Sequence, residues 1–370
     1  MNKITMVCLT YRRQLFIKRQ LLYFADKPID IIFADDSKKD FYSAKKGKIG
    51  KLNWRYFRIN KKSSIYERWF KASKLIKTKY VCMLDDTDFI PYTTLNKAKT
   101  FLEKNKSYKA IGGLRFTISK EKKNNLFNLE NKFKDIENYK NYSKEKNLNY
   151  IFSKQLTRNI FYSLVDASVF KDAIKIIYDF KNTSWGVSSE LILTSMIILK
   201  CKFKFFMKPF VISTTHRSVD LKTQNRVKSK KKIVSTKDWY HLRPEESKQV
   251  INLISNKFNN KLKEKTRKAI SKAFLIHKID SETCYSTKHS FISYILKRKF
   301  KFNFTLDFVE RIYRKLFYPK KQINEIFNLY HSFLKPDDLK EFKKIITYIN
   351  YFPEGVKTFP FKKELIKKVE

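Results

Sequence analysis

Asp85, Asp86 and Asp88 pack three carboxylates into four positions. Acids this close repel one another, so the arrangement costs stability unless a cation or hydrogen-bond donors compensate. Hard oxygen ligands on a loop suit Mg²⁺ or Mn²⁺, ions that keep several waters and share the phosphate oxygens of a substrate. An ordinary acidic turn is the plain alternative, and a short Asp-Asp-X-Asp match does not exclude it.

The elements that must position these acids are strands. Tyr80 to Leu84 form a short apolar run, partly β-branched or aromatic, which predicts a buried strand ending at the acids. Carboxylates at the carboxyl end of a parallel strand fall where open α/β sheets bind ligands. Upstream, Ile4–Thr10 predicts a first strand leading into Thr10-Tyr11-Arg12-Arg13. Gln14–Phe24 then carries Leu15, Arg19, Leu22 and Tyr23 at helical spacing. Residues 29–34 predict a second strand closed by Asp35, Asp36 and Ser37, and residues 52–57 a third. Residues 65–76 place Ile65, Trp69, Ala72 and Ile76 on one helical face. Strand, helix, strand, then strand, helix, strand predicts an α/β fold with a parallel, doubly wound sheet. Both Asp-bearing loops then share its carboxyl-terminal edge.

Further along, a helix is expected over residues 94–103. Gly112 and Gly113, two of only six glycines in the chain, predict a tight turn or a close approach of backbone to a ligand. Residues 121–149, rich in Lys, Asn and Glu, suggest a solvated insertion, with a lid as the alternative. Asp166 and Ser168 stand near an expected strand-to-helix junction. Ser188 is a candidate N-cap for a helix through Leu191 to Leu199, with Glu190 in its first turn, where a carboxylate also simply complements the macrodipole. Residues 203–215 read as a strand pair, or as one strand interrupted at Pro209, running to His216 and Arg217.

The formal charge of +46 and pI near 10.0 predict attraction to polyanions: nucleic acid, anionic lipid surfaces or phosphorylated substrates. Abundant Lys, Asn, Ile, Phe and Tyr also fit AT-rich coding, which does not account for the shortage of Asp and Glu. Four scattered cysteines, Cys8, Cys82, Cys201 and Cys284, speak against a zinc site or a disulfide framework and fit a reducing compartment. No stretch has the form of a signal peptide or approaches the roughly 20 apolar residues of a membrane span. A cytoplasmic protein, peripheral on a membrane at most, is the expectation. After Arg217 the chain turns basic, then helical, with aromatics between cations as in Tyr294 to Phe304. That mixture suits nucleic-acid stacking, an interfacial helix or, most simply, core residues beside snorkelling cations.

Taken in order, Thr10 to Arg13, Asp35 to Ser37, Leu84 to Phe89 (LDDTDF), Trp185 to Glu190 (WGVSSE) and Thr215 to Arg217 resemble the family 2-like glycosyltransferases with the GT-A fold. The resemblance covers about residues 1–217. It implies a GT-A domain over 1–218; composition and patterning place a polar insertion at 119–150 within it and, after it, a basic linker at 219–243 and a helical, basic C-terminal domain at 244–370. It also implies a nucleotide-sugar donor, UDP-linked by preference, and Mn²⁺ or Mg²⁺. Thr10, Tyr11, Arg13, Asp35, Asp36, Ser37 and Asp86 would then hold the nucleotide, with Asp86, Asp88 and His216 on the metal. Arg12, Arg13 or Arg217 would clamp phosphate oxygens. Glu190 stands where the family carries its base, although here a single Glu precedes Leu191; Asp166 is the runner-up. The expected activity is transfer of a sugar to a glycan or lipid-linked acceptor in surface polysaccharide synthesis, with inversion. The competing expectation is a nucleic-acid-binding protein with a metal-dependent nuclease or nucleotidyltransferase centre, which the charge favours and the strand order does not.

Overall fold

A computed structural model describes residues 4–10, 13–37, 46–59, 65–120, 125–129, 133–179, 187–215, 251–255, 263–271 and 336–350. Strand β1 (Ile4–Thr10) lies in the middle of the parallel region, paired to β2 (Ile29–Asp35) on one side and to β5 (Tyr80–Asp85) on the other. Both β1 and β5 are buried almost throughout, and a strand covered on both faces needs the unbroken apolar runs seen here. β4 (Leu52–Arg58) adds parallel to β2, with the short β3 (Lys46–Ile49) antiparallel at the edge.

Between these strands run α1 (Gln14–Phe24) and α2 (Ile65–Lys74). The chain therefore builds outward from β1 through β2 to β4, then crosses back to add β5 on β1's other side. That reversal puts a topological switch point between the carboxyl ends of β1 and β5.

The sheet continues through β8 (Leu164–Asp166), β6 (Tyr108–Lys120) and β7 (Asn125–Leu129), with β9 (Lys202–Thr215) also on β6, nine strands among the described residues. Four of its pairings are parallel, and these join the longer strands. The expected α/β class with a largely parallel sheet is what the chain adopts. Helices α3 (Tyr92–Lys104), α4 (Phe133–Glu137), α5 (Lys144–Ser153), α6 (Thr157–Phe161), α7 (Ala167–Asp179) and α8 (Val187–Lys200) complete the region. Among the described residues no helix is long and apolar enough to cross a membrane.

Three local expectations change. Gly112 and Gly113 sit inside β6, not in a turn, and what they approach closely is the chain's own backbone. A Cβ on Gly112 would meet the Asn159 carbonyl at 2.6 Å, and one on Gly113 the Lys208 carbonyl at 2.8 Å. Packed backbone makes the glycines necessary. The polar stretch 121–149 is not simply a solvated insertion: β7 pairs with β6, and Ile136, Asn147 and Leu148 are buried. Its few apolar residues were too sparse to give a period. Around Pro209 β9 remains one strand, absorbing the proline with a register shift opposite Leu114.

Within the expected C-terminal domain, helical segments occur at 251–255 and 264–271 and in the helix Pro336–Asn350. The last of these is docked on the N-terminal fold. Its Asp338, 3% exposed, bonds Lys97 and Lys208, each at 2.5 Å. Burial alone would raise the Asp338 pKa, but the two lysines hold it below the ordinary carboxylate value. A carboxylate with a depressed folded pKa stabilises above its unfolded value and loses that contribution as pH falls through the folded one. Asp338→Asn should therefore cost about 2 kcal/mol at pH 6, and the gap to wild type should narrow at an acid pH below the ordinary carboxylate value. Paired denaturant titrations at the two pH values check this, and a gap independent of pH would refute it.

Candidate active site

β5 ends at Asp85, and the chain turns tightly, Asp88 N–H bonding the Asp85 carbonyl at 3.0 Å. Phe89 and Ile212 exchange backbone bonds of 2.9 and 2.8 Å, fastening the loop's exit to β9. The rest of the clamp comes from α1. Gln20, fully buried, donates its amide to the carbonyls of Asp85, Asp86 and Asp88. Arg19 donates to the Thr87 carbonyl at 2.7 Å, with its guanidinium 4.9 Å from the Phe16 ring and 4.6 Å from the Phe89 ring. Burial lowers the Arg19 pKa to about 9, against the pull of Asp86 and Asp88. Donors thus hold the loop by its backbone.

Each carboxylate has its own environment. Asp86, 4% exposed, takes Arg13 at 2.8 Å, yet burial still raises its pKa. Asp88, 3% exposed, accepts from Ser213 at 2.9 Å and Thr87 at 3.2 Å; Arg115 in turn donates to Ser213 at 3.0 Å. Burial and the charge of Asp85 push Asp88 up to about 7, with Arg115 and its two hydroxyl donors opposing. Asp85, on the open side, accepts from the Tyr162 hydroxyl at 2.5 Å. Beneath lies Cys8, whose thiol is kept neutral by burial and by the surrounding aspartates.

Two strands over from β5, at the end of β2, Asp35 is buried and fully engaged: its Oδ1 accepts the Ser37 amide and hydroxyl at 2.9 and 2.6 Å, and its Oδ2 accepts Tyr56 at 2.6 Å. Asp36 differs. Arg68 approaches at 3.8 Å, while the buried Oδ1 has no partner among the described residues. Burial raises the Asp36 pKa, with Arg68 opposing. Arg68 also reaches the Thr10 carbonyl at 3.4 Å, so it bridges the ends of β1 and β2.

The strand ends therefore bring together Thr10, Arg13, Asp35, Asp36, Ser37, Asp86 and Asp88. Glu190, in the first turn of α8, belongs to the same cluster. Burial holds the Tyr162 hydroxyl well above its ordinary range, and the charges of Asp85, Asp88 and Glu190 add to that against Arg115. Asp166 does not belong to it. It pairs with Tyr80 at the opposite end of β5, five residue steps or about 16 Å from Asp85 along the strand. There it accepts the Ser168 amide at 3.0 Å and hydroxyl at 2.7 Å at the start of α7, with Lys109 at 3.4 Å. The candidate base Asp166 is thus corrected to a helix cap. Ser188 falls within α8 and not before it. Tyr11, Arg12, His216 and Arg217 lie outside the described residues.

Gln20, Arg68, Arg115, Tyr162 and Ser213 carry no motif, and only the strand order brings them in. Arg19 left one trace, a cation on the apolar face of its helix.

A divalent ion is testable against this donor set. Among the described residues no three His, Cys, Asp or Glu side chains converge as a metal-binding group. Asp86 is already committed to Arg13. Asp85 and Asp88 nevertheless offer hard oxygens, and Asp88 is held against the cost of burial and of its neighbour's charge. One or two carboxylates completed by waters and substrate phosphates suit Mg²⁺ or Mn²⁺.

The chain matches no protein-family model and no curated protein. Among solved structures it is similar to the crystal structure of S. aureus TarS 1-349, at a TM-score of 0.49 and 15% identity over 75% of this chain and 72% of that one. The same protein in complex with UDP-GlcNAc gives 0.49 and 16%, over 78% and 75%. A longer S. aureus TarS structure gives 0.45 and 15%, over 78% of this chain and 45% of that one. Scores this low assign no chemistry, which has to come from the residues themselves.

Proposed function

We propose that the chain is a metal-dependent glycosyltransferase of GT-A architecture, moving a sugar from a nucleotide-sugar donor to a glycan or lipid-linked acceptor in surface polysaccharide synthesis. One observation carries the reading. The Asp85–Asp88 loop stands at the β1/β5 switch point, clamped by its backbone, beside a second acidic strand end. A phosphorylated nucleoside fits that juxtaposition better than any isolated acidic turn does.

The roles follow from position. Asp36 and Ser37 face the nucleoside, the Asp36 oxygen that has no partner among the described residues being an acceptor for a ribose or base donor. Asp35 is their support, since its own oxygens are taken. Arg68, at the β1 and β2 ends, and the Arg13–Asp86 pair meet the ribose and diphosphate, with Thr10 and Tyr11 on the same strand end. Asp88 and Asp85 offer the cation oxygens, joined by Asp86 or His216 as the resemblance implies. When bound, Mn²⁺ or Mg²⁺ supplies Lewis-acid stabilisation of the departing diphosphate. Glu190 takes the proton of the acceptor hydroxyl as that oxygen bonds the anomeric carbon and the bond from carbon to diphosphate oxygen breaks, with inversion. The +46 charge suits an acceptor presented on an anionic, cytoplasm-facing membrane surface.

A thermal-shift screen of UDP-, GDP-, CMP- and dTDP-sugars, with and without Mn²⁺, tests the reading. Ligand at 100-fold over Kd stabilises the native state by about 2.7 kcal/mol. One nucleotide class should shift the melt, and only with the cation. An acid whose folded pKa lies near 7 is largely protonated below that pH, so a cation there must displace a proton. The shift should therefore weaken from pH 8 to pH 6. No shift with any sugar nucleotide, alongside a large salt-sensitive shift with oligonucleotides, would replace this reading with the nucleic-acid one that the charge also permits.

A further inference from the structure

We infer that the helix Pro336–Asn350 is part of the frame of the donor site, and that Glu341 is a positioning residue for the Asp85–Asp88 loop. Helix α3 begins four residues after Asp88. Its N-cap position is Pro91, which offers no side-chain cap, so the first amides of the helix need partners from elsewhere. Glu341 supplies them. Its two oxygens accept the Tyr92 amide at 2.9 Å and the Thr93 amide at 2.7 Å, and a carboxylate suits the positive end of a helix.

The same carboxylate, 7% exposed, also accepts the Tyr23 hydroxyl at 2.8 Å. Tyr23 lies one turn along α1 from Arg19 and Gln20, the two residues that clamp the loop. Two turns beyond Glu341, the Tyr348 ring packs against Tyr23 at 5.5 Å and Phe89 at 6.3 Å, edge-on in both cases. Phe89 directly follows Asp88 and carries the Arg19 guanidinium on its ring. Asp338, three residues before Glu341, fastens the helix to Lys97 of α3 and Lys208 of β9.

Every anchor thus falls on an element bordering the loop: α1 that clamps it, α3 that receives it, and β9 that presents Ser213 to Asp88. A buried carboxylate satisfied by three donors does this from about 250 positions downstream. Its removal leaves a hydroxyl and two amides without an acceptor. Residues 1–217, the span of the sequence resemblance, are therefore not the whole of the site's framework.

The consequence for turnover rests on the proposed sugar transfer; the consequence for the loop does not. The test is hydrogen exchange on the full chain without ligand, read at the Asp88 and Phe89 amides, which bond Asp85 and Ile212 and not Glu341. Glu341→Ala should speed their exchange at least tenfold more than Ile177→Ala, a buried core change in α7, once the two variants are compared at equal loss of global stability. Glu341→Gln keeps one acceptor oxygen and should give a smaller rise at the same amides. It carries the comparison if the alanine variant does not fold. In transfer assays Glu341→Gln should raise the donor KM several-fold and change kcat less. Exchange at these two amides no faster than in Ile177→Ala, for both Glu341 variants, overturns the inference. If the wild-type chain transfers no sugar at all, the functional reading fails while the exchange comparison still decides the positioning.

Discussion

Asp88→Asn is expected to abolish sugar transfer, by about a thousandfold in kcat/KM, while raising the melting temperature of the ligand-free protein. Both effects have one cause. Asp88 is buried beside Asp85, and its pKa climbs from 3.8 to about 7 because the site disfavours the charge. A difference of that size corresponds to a few kcal/mol held in the carboxylate above pH 7. An amide accepts the Ser213 hydroxyl equally well and carries no charge to desolvate. At about 1–2 °C per kcal/mol for a chain of 370 residues, the gain should be a few degrees.

The sign with pH is fixed. For an acid with a raised folded pKa, the penalty is absent where both states are protonated, below about 4, grows between about 4 and 7, and is complete above 7. The variant's advantage should be full at pH 8, smaller at pH 6 and gone near pH 4. Melting curves at these pH values, with a donor-turnover assay at pH 8, check both halves. Retained transfer, or a lower melting temperature at pH 8, would contradict them.

Glu190→Gln should lower kcat by about two to four orders of magnitude and leave donor affinity within about threefold. The side chain sits in the first turn of α8, close enough to Tyr162 for its charge to act on that hydroxyl. It is thus beside Asp85 and Asp88 without belonging to the clamp that shapes their loop. A base acts on the acceptor proton in the transition state, so its loss falls on turnover and not on donor binding. Single-turnover kinetics and a donor titration separate the two. Loss of donor binding with kcat intact would reassign Glu190 to the nucleotide. Asp166→Asn is the matched control: turnover should hold while stability drops by about 1 kcal/mol, the usual cost of a weakened helix cap.

The parallel half of the fold was legible because its strands are buried on both faces and so spell continuous apolar runs, with acids exactly where β2 and β5 stop. Asp35, Asp36, Asp86 and Asp88 could be found from that alone. Asp166 misled because a strand-to-helix junction looks the same at either end of a sheet; only the antiparallel pairing of β8 with β5 places it on the wrong edge. Gln20, Arg68 and Arg115 were invisible for a different reason. Their work is long-range hydrogen bonding to backbone and hydroxyl groups, and nothing in their neighbours' identities announces it. Glu341 is the extreme case, a lone Glu in a Lys-rich helix whose partners lie at Tyr23, Tyr92 and Thr93.

Calorimetric titration of the wild-type chain, Asp88→Asn and Glu190→Gln with nucleoside diphosphates, with and without Mn²⁺, tests the central claim most directly. One base should bind the wild type and Glu190→Gln, in each case only with the cation, and binding should vanish in Asp88→Asn. Binding that is the same with and without the cation, and the same in Asp88→Asn, would show that the acidic loop is not the cation-dependent donor site.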